Sequence, residues 1–315
     1  MSFGAHSYAA DPRNEAILVS VNGEIKPRAN AVVSVFDSNF MLGDGIWEGL
    51  RSKGGEIPFL TRHLERLYGG ARVLKFKDMI PPDEMRARLF ACLEANGMTD
   101  EDADNVHIRL MVSRGIRSTP YQDPRVIISP PTVVIAPEYK TATENRSGLS
   151  LFTSTIRRTA PDAQDQKLNS HSKLNCIQAC IQATEAGADE ALMLDPSGAV
   201  ATCNSTHFFI VKGGEVWTST GMYCLGGITR RAVIEACGAA GVKVFEKPFS
   251  LHDVYTAEEA FVTGTFAGLT PVRAVDGRML GPVLATEASD VPGPVTARLR
   301  ETYAALQIRC AEGPA

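Results

Sequence analysis

In the stretch QKLNSHSKLNCIQACIQATEAG, the tripeptide Lys-Leu-Asn occurs twice, beginning at Lys167 and at Lys173. Leu174 and Ile177 fall at helical spacing and predict a helix that begins at about 170–172. Lys167 would then lie in the loop before the helix, and Lys173 on its first turn. A lysine amine condenses with an aldehyde, so one of the two could carry Schiff-base chemistry. The simpler interpretation of Lys173 is a solvated lysine at a helix start.

The stretch LGGITRRAVIEACGAAG at 225–241 could bind an anion. Two glycines precede Ile228 and Thr229, and an apolar-periodic helix follows. The free backbone N–H groups of a helix start and the Thr229 hydroxyl together suit a phosphate. The alternative is a plain glycine loop with Thr229 as the N-cap.

Two further stretches have functional and structural interpretations. TGTFAGLTPV, which contains Thr265, places small hydroxylated residues at a strand end, where a simple turn is the alternative. HLERL places His63 and Arg66 on a helix, where Arg66 is either a solvated surface residue or a phosphate clamp. A lysine near a phosphate cradle indicates pyridoxal 5'-phosphate, whose aldehyde needs an amine and whose phosphate needs donors.

The elements that must position these residues differ between the two halves of the chain. In the first half we predict hairpins with turns at Asn22-Gly23 and Gly54-Gly55, a helix from about Thr61, a helix over PPDEMRARLFACLEANG, and strands VHIRLMVS and TVVIAP. In the second half, LSLFTSTIRR, EALMLD, HFFIVKGGEVWTS, VKVFEKPFS and EAFVTGT predict a mostly antiparallel or mixed sheet.

The predicted fold class is α+β with two domains. The small N-terminal α/β domain covers 1–137, the polar stretch at 138–148 is the linker, and the larger cofactor-binding domain covers 149–315. No strand–GxGxxG–helix unit occurs, so we do not predict a dinucleotide fold.

Composition excludes several classes of function. The 315 residues are 44% apolar and 22% charged with a net charge of −4, and no basic block indicates nucleic acid. No apolar run approaches the roughly 20 residues of a membrane helix, and the first residues contain no signal-like apolar core. Seven scattered cysteines favour the cytoplasm over a disulfide framework, and no metal site is expected.

Several motifs in order give the chain a family resemblance. They are FMLGDGIWEGLR, HLERL, AGADEALMLDPSGAVATCNSTHFFIV, GGITR, TGTFAGLTPVRAVDG and GPVTARL. With these the chain, from about residue 16 to 305, resembles the class IV (fold type IV) pyridoxal-phosphate aminotransferases, which include branched-chain and D-amino acid aminotransferases. The resemblance implies a D-amino acid aminotransferase-like fold and a homodimer that acts in amino acid metabolism.

The resemblance also implies site residues. Lys167 matches the Schiff-base lysine, which also moves a proton as general base, and Lys173 stands where relatives have a tyrosine. The remaining cofactor-binding residues implied are Arg66, Thr202, Gly227, Ile228, Thr229 and Thr265. The implied substrate-binding residues are Phe40, Trp47, His107, Arg109 and Phe266.

Among these substrate residues, Arg109 is expected to meet an α-carboxylate. Trp47 and Leu42 suggest an apolar pocket, and Leu42 stands where many relatives have tyrosine.

One departure from the family pattern bears on the reaction. Thr202 stands where relatives have a glutamate that keeps the cofactor's pyridine nitrogen protonated. A neutral hydroxyl should leave that nitrogen largely unprotonated and weaken the electron sink. Transamination between an amino acid or amine and a 2-oxo acid is the leading hypothesis. The alternatives are a lyase or racemase on the same scaffold, and a relative that binds the cofactor without catalysis.

Overall fold

A computed structural model of the chain describes residues 6, 8–142, 147–283 and 291–314. The described residues belong to two compact units. The small unit comprises Ala9–Thr141, Asn169–Ser172 and Cys310–Ala315. The large unit comprises Met1–Tyr8, Ala142–Leu168 and Lys173–Arg309. The predicted domain limits of 1–137 and 149–315 stay a prediction.

The small unit contains a five-stranded antiparallel sheet. The strands of the small unit, including a separate pair formed by β4 and β16, are β1 (Leu18–Val21), β2 (Glu24–Pro27), β3 (Gly45–Ser52), β4 (Ile57–Pro58), β5 (Val106–Ser113), β6 (Val133–Tyr139) and β16 (Ala311–Glu312). Its helices are α1 (Ser38–Leu42), α2 (Leu60–Val73) and α3 (Pro82–Glu94). The sheet order is β2-β1-β6-β5-β3, and β4 pairs with β16. The predicted linker overlaps β6 at 138–139, and its residues 143–146 lie outside the described part.

One predicted hairpin of the small unit is confirmed and one is not. β1 and β2 pair around Asn22 and Gly23, whose φ angles of 54° and 89° suit the tight turn that Asn-Gly favours. At Gly54 and Gly55 the chain also turns, closed by a bridge between Lys53 and Glu56. The second predicted hairpin is wrong beyond that turn, because β4 takes its ladder partner from β16, far along the chain.

The helices of the small unit cover one face of its sheet. Helix α2 contacts β3, and α3 contacts β1 and β6. Leu64 and Leu67 of α2 are buried, as are Leu89 and Leu93 of α3. Each such side chain contributes roughly 1.5–3 kcal/mol by leaving water. This packing fixes α2, and therefore His63 and Arg66, against β3.

The large unit contains a nine-stranded mixed sheet. Its strands are β7 (Leu149–Thr153), β8 (Glu190–Leu194), β9 (Val200–Cys203), β10 (His207–Lys212), β11 (Glu215–Thr218), β12 (Val244–Glu246), β13 (Glu259–Gly264), β14 (Gly268–Val275) and β15 (Arg278–Met279). The order is β12-β11-β10-β13-β14-β7-β8-β9, with β15 on β14. β7 is parallel to β8 and β14, and β11 is parallel to β12, so the predicted mixed sheet is confirmed.

The helices of the large unit are α4 (Pro161–Gln164), α5 (Leu174–Glu185), α6 (Ile228–Ala239), α7 (Leu251–Tyr255) and α8 (Pro294–Arg309). Helix α5 begins later than predicted, and Lys173 is the residue before it. Its buried residues are Ala179 and Ala183. Leu174 and Ile177 are 67% and 52% exposed, so the apolar stripe of α5 faces away from the core of its own unit.

No helix in the described ranges is long and apolar enough to cross a membrane.

Candidate active site

The predicted substrate residues of β3 and β5 share one face of the small sheet. Successive strand residues point to opposite faces, and the register pairs Gly49 with Arg109. Trp47, Gly49, His107 and Arg109 therefore lie on the same face. Gly49 leaves a gap there, since a Cβ at this position would be 3.5 Å from Trp47 and 3.6 Å from His107.

Arg109 is held flat on an aromatic plane. Its guanidinium carbon lies 3.3 Å from the centre of the Trp47 ring, within the range of a cation–π contact. Burial lowers the pKa of Arg109 to about 10, against the opposing effect of the Glu48 charge. The guanidinium is thus still cationic at neutral pH and can bind a carboxylate.

A distant piece of the chain extends the small sheet beyond β3. The Trp47 amide donates to the Asn169 carbonyl oxygen (3.1 Å), and the His171 amide donates to the Gly45 carbonyl oxygen (2.9 Å). The Trp47 indole N–H donates to the Ser170 carbonyl oxygen (3.1 Å). These bonds fix the indole ring and anchor the segment that follows Lys167. No periodicity in the sequence indicated this pairing.

The two candidate lysines have different surroundings. Lys167 is exposed, and its backbone N–H donates to the Asp165 carboxylate (2.9 Å). Lys173 is half-buried and occupies the N-cap position of α5, with no cap bond from its side chain. An exposed amine at Lys167 is accessible to an aldehyde.

The predicted anion cradle lies at the start of α6. Gly227 caps α6, so the amides of Ile228 and Thr229 lie in its first turn, where N–H groups have no intrahelical acceptor. A Cβ at Gly227 would lie 2.3 Å from Cε1 of His207, so only glycine fits there. The His207 ring in turn lies 2.8 Å from the Leu225 carbonyl oxygen through Nε2. His207 therefore shapes this turn, and sequence reasoning did not identify it.

Gly226, the residue before this cap, has open space around it. A Cβ built there meets no atom within 4 Å. Thr229 itself is buried, with 6% of its surface exposed.

The hairpin between β13 and β14 holds two more predicted site residues. Thr265 lies in the turn and is half-buried. Phe266 is 2% exposed and stacks on His6 with ring centres 6.0 Å apart. Thr265 is therefore accessible at the turn, whereas Phe266 packs against another ring.

Thr202 belongs to a chain of buried hydrogen bonds. Its hydroxyl donates to the Thr206 carbonyl oxygen (2.8 Å), and the Thr206 hydroxyl donates to the Glu190 carboxylate (2.7 Å). A hydroxyl has one proton to donate. Thr202 can therefore offer a ligand only its oxygen lone pairs while this bond lasts.

Arg66 is paired with a carboxylate that sequence reasoning missed. Its Nε donates to Oε1 of Glu48 (2.8 Å) and its Nη2 donates to Oε2 of the same residue. Glu48 occupies a covered position of β3, where the alternating pattern predicts an apolar residue. This charged residue at a position where an apolar one is expected was the sequence signal for a buried partner of Arg66.

Phe40 was expected in the substrate pocket, and it lies on α1 with 71% of its surface exposed. Leu42 on the same helix is 42% exposed.

The large unit thus combines an exposed lysine, a helix start whose first-turn N–H groups have no intrahelical acceptor, and hydroxyl groups. These are the donors that a phosphorylated aldehyde requires, so the residues fit pyridoxal 5'-phosphate. Among the described residues, no cluster of His, Cys, Asp and Glu could hold a metal ion.

Comparison with known proteins identifies the family. The family model for amino-transferase class IV matches residues 45–275. Branched-chain-amino-acid aminotransferase-like protein 2 of Arabidopsis thaliana is 38% identical over 296 residues, which is 94% of this chain and 51% of that protein. The chain thus spans about half the length of this plant relative.

Two further matches extend over nearly the whole of both chains. A putative branched-chain-amino-acid aminotransferase of Methanocaldococcus jannaschii is 34% identical, covering 90% of this chain and 94% of that one. A crystal structure of the T.th. branched-chain amino acid aminotransferase, complexed with N-(5'-phosphopyridoxyl)-L-glutamate, superposes with a TM-score of 0.83 at 29% identity. It covers 95% of this chain and 99% of that chain.

These matches confirm the predicted resemblance and the predicted two-domain fold class. The chain belongs to the class IV aminotransferases.

Proposed function

We propose that the protein is a pyridoxal 5'-phosphate-dependent aminotransferase that transfers an amino group between an amino acid and a 2-oxo acid. The observation that carries the proposal is the start of α6, with Thr229 in its first turn and His207 forcing glycine at its cap. In a class IV chain, such a helix start suits the cofactor phosphate.

The residues divide into those for the cofactor and those for the substrate. The cofactor supplies an electron sink for the substrate Cα when it is bound. Lys167 is the amine that we assign to its aldehyde, and the Nζ atom then takes and returns the Cα proton as general base. Thr229, Thr265 and Arg66 are the residues that we assign to the phosphate, and Arg109 is the residue that we assign to the substrate carboxylate.

The substrate side chain is proposed to be apolar. Arg109 lies over the Trp47 ring, and Gly49 places no side chain between Trp47 and His107. A carboxylate on Arg109 and an apolar group next to Gly49 would orient an apolar amino acid or its 2-oxo acid.

A homodimer is also proposed. Six apolar residues are more than 40% exposed within eleven positions of the small unit, a density that a monomer rarely shows. They are Val32, Val33, Val35, Phe36, Phe40 and Leu42. A second copy of the chain would remove this apolar stretch from water.

The seven free cysteines fit a cytoplasmic protein.

Acceptor dependence tests the proposed reaction. The cofactor-loaded protein is incubated with leucine, with and without 2-oxoglutarate, and both keto product and glutamate are quantified. A transaminase turns over only with the acceptor and then forms both products in equal amounts; without the acceptor it stops at a single keto acid per bound cofactor. Leucine has no leaving group on Cβ, so serine is also tested without acceptor, and repeated release of pyruvate and ammonia would identify a lyase. No product from either enantiomer of several apolar amino acids would identify a non-catalytic relative.

A further inference from the structure

Glu48 is a completely buried carboxylate in contact with two side chains of α2. It has 0% of its surface exposed, and His63 has 2%. His63 Nδ1 lies 2.7 Å from Oε2 of Glu48, and Arg66 contacts both carboxylate oxygens. His63 and Arg66 are three residues apart on α2 and therefore lie on the same side of the helix, facing β3.

The charge states of the three groups follow from their surroundings. Burial would raise the pKa of Glu48, but Arg66 and His63 outweigh it and hold the pKa below its ordinary value. Burial lowers the pKa of His63. At neutral pH the cluster thus holds an anionic Glu48, a cationic Arg66 and a neutral His63. Because an ionised carboxylate only accepts, the His63 proton is assigned to Nδ1.

We propose that Glu48 and His63 are positioning residues that fix the guanidinium of Arg66 for the phosphate of the cofactor. The inference rests on the proposed function, which assigns Arg66 to that phosphate. We assign no contact with the cofactor to Glu48 or His63.

Geometry supports positioning rather than simple burial of a charge pair. An arginine has a long side chain, and free rotation would scatter its donors over many orientations. Glu48 engages Nε and Nη2 together, and this two-point contact fixes the plane of the guanidinium. The opposite edge, which includes Nη1, is then presented in one direction. Arg66 retains 16% side-chain exposure, whereas the Glu48 side chain has none.

Positioning and charge neutralisation predict opposite effects of removing the Glu48 charge. Glu48 cancels the charge of Arg66, so on electrostatics alone a neutral residue would strengthen anion binding. If Glu48 orients Arg66, the same change weakens anion binding. The substitution Glu48→Gln keeps the size of the side chain and separates the two cases.

The experiment measures ligand binding by folded, cofactor-free protein. Dissociation constants for pyridoxal 5'-phosphate and for inorganic phosphate are determined for wild type, Glu48→Gln, His63→Leu and His63→Asn. Asparagine retains a donor near the Nδ1 position, whereas leucine removes it. We expect both ligands to bind about tenfold more weakly to Glu48→Gln and His63→Leu, in line with lost charged hydrogen bonds. His63→Asn should restore most of the affinity.

The results separate this inference from the proposed function. Wild-type or tighter binding of phosphate by both folded Glu48→Gln and His63→Leu would overturn positioning. If Glu48→Gln does not fold, the His63 pair decides. If wild type binds no pyridoxal 5'-phosphate, the proposed function fails, while the order of phosphate affinities among the variants still decides the inference. A thermal melt of each variant measures its stability. A lower Tm together with wild-type affinities for both ligands would show that Glu48 and His63 act on stability only and would overturn positioning.

Discussion

The guanidinium of Arg109 lies 3.3 Å from the centre of the Trp47 ring. The two residues come from neighbouring antiparallel strands, β5 and β3, and the Trp47 indole is fixed by the Ser170 carbonyl oxygen. A cation is thereby held over an aromatic ring, where it can bind the carboxylate of an amino acid.

Replacing the cation should therefore affect substrate more than cofactor. For Arg109→Gln we expect kcat/KM for an apolar amino acid to fall about tenfold to a hundredfold, the effect of a lost charged hydrogen bond. The dissociation constant for cofactor should stay at the wild-type value. Steady-state kinetics and a cofactor titration measure the two.

Arg51→Gln is the matched control, since Arg51 pairs with His107 in the register and donates to Asn105. An Arg109→Gln enzyme with unchanged kcat/KM would remove Arg109 from substrate binding.

The two glycines before α6 should respond differently to alanine. At Gly227 a methyl group would collide with the His207 ring, which must then leave the Leu225 carbonyl oxygen. Overpacking of this kind costs about 1–3 kcal/mol. At Gly226 a methyl group meets nothing within 4 Å. Thermal melts of cofactor-free protein should show a lower Tm for Gly227→Ala and a wild-type Tm for Gly226→Ala; equal values would contradict the role given to His207.

Local patterns predicted the small unit's first hairpin and its two longer helices, α2 and α3, whereas α1 was not predicted. Asn22-Gly23 prefers positive φ at both residues, and helical spacing placed α2 within one residue of its start. These features depend on residues close in sequence. The pairing of β3 with Asn169 and of β4 with Ala311 does not, because these two partners lie far along the chain and give no periodic signal.

The apolar residues of α5 show a second limit of sequence reasoning. Leu174 and Ile177 have the spacing of a core-facing stripe, yet they are exposed, and the alanines of the other face are buried. The same pattern results whether the stripe covers the chain's own core or another surface. Glu48 was missed for a related reason, since only its two partners on α2 make a buried carboxylate tolerable there.

Thr202 should matter for folding as well as for the cofactor. Thr202→Val removes the donor to the Thr206 carbonyl oxygen and leaves that buried acceptor unpaired. We expect a loss of about 1–3 kcal/mol in the free energy of unfolding, measured with urea on cofactor-free protein. Thr202→Ser keeps the hydroxyl and should lose less. Equal stabilities for the two variants would mean that this hydrogen bond contributes nothing.

His63 should make stability depend on pH. Its folded pKa is lowered below the ordinary 6.5, so the unfolded chain takes up its proton first as the pH falls. The stabilisation that neutral His63 contributes is therefore present above pH 6.5. It is lost as the pH falls below 6.5, by about 1.4 kcal/mol per pH unit at most.

The His63→Asn variant lacks this titration. The difference in free energy of unfolding between wild type and His63→Asn should fall as the pH is lowered from 6.5 towards 5. A difference that stays flat between pH 6.5 and pH 5 would contradict a buried neutral His63.

The exposed apolar stretch of the small unit should hold two copies of the chain together. Val35 is 64% exposed within it, whereas Ile308 on α8 is 80% exposed outside it. Val35→Glu would bury a charge in the contact and should shift the protein to monomer in sedimentation velocity. Ile308→Glu should leave the dimer unchanged. A wild-type monomer at micromolar concentration would exclude the proposed dimer.

Borohydride reduction identifies the lysine that carries the cofactor, which we propose is Lys167. The loaded protein is reduced and digested, and the pyridoxyl-labelled peptide is sequenced by mass spectrometry. We expect the label on Lys167 and its loss in Lys167→Ala. A label on Lys173, or a label that persists in Lys167→Ala, would contradict the assignment and move the reactive amine to the start of α5.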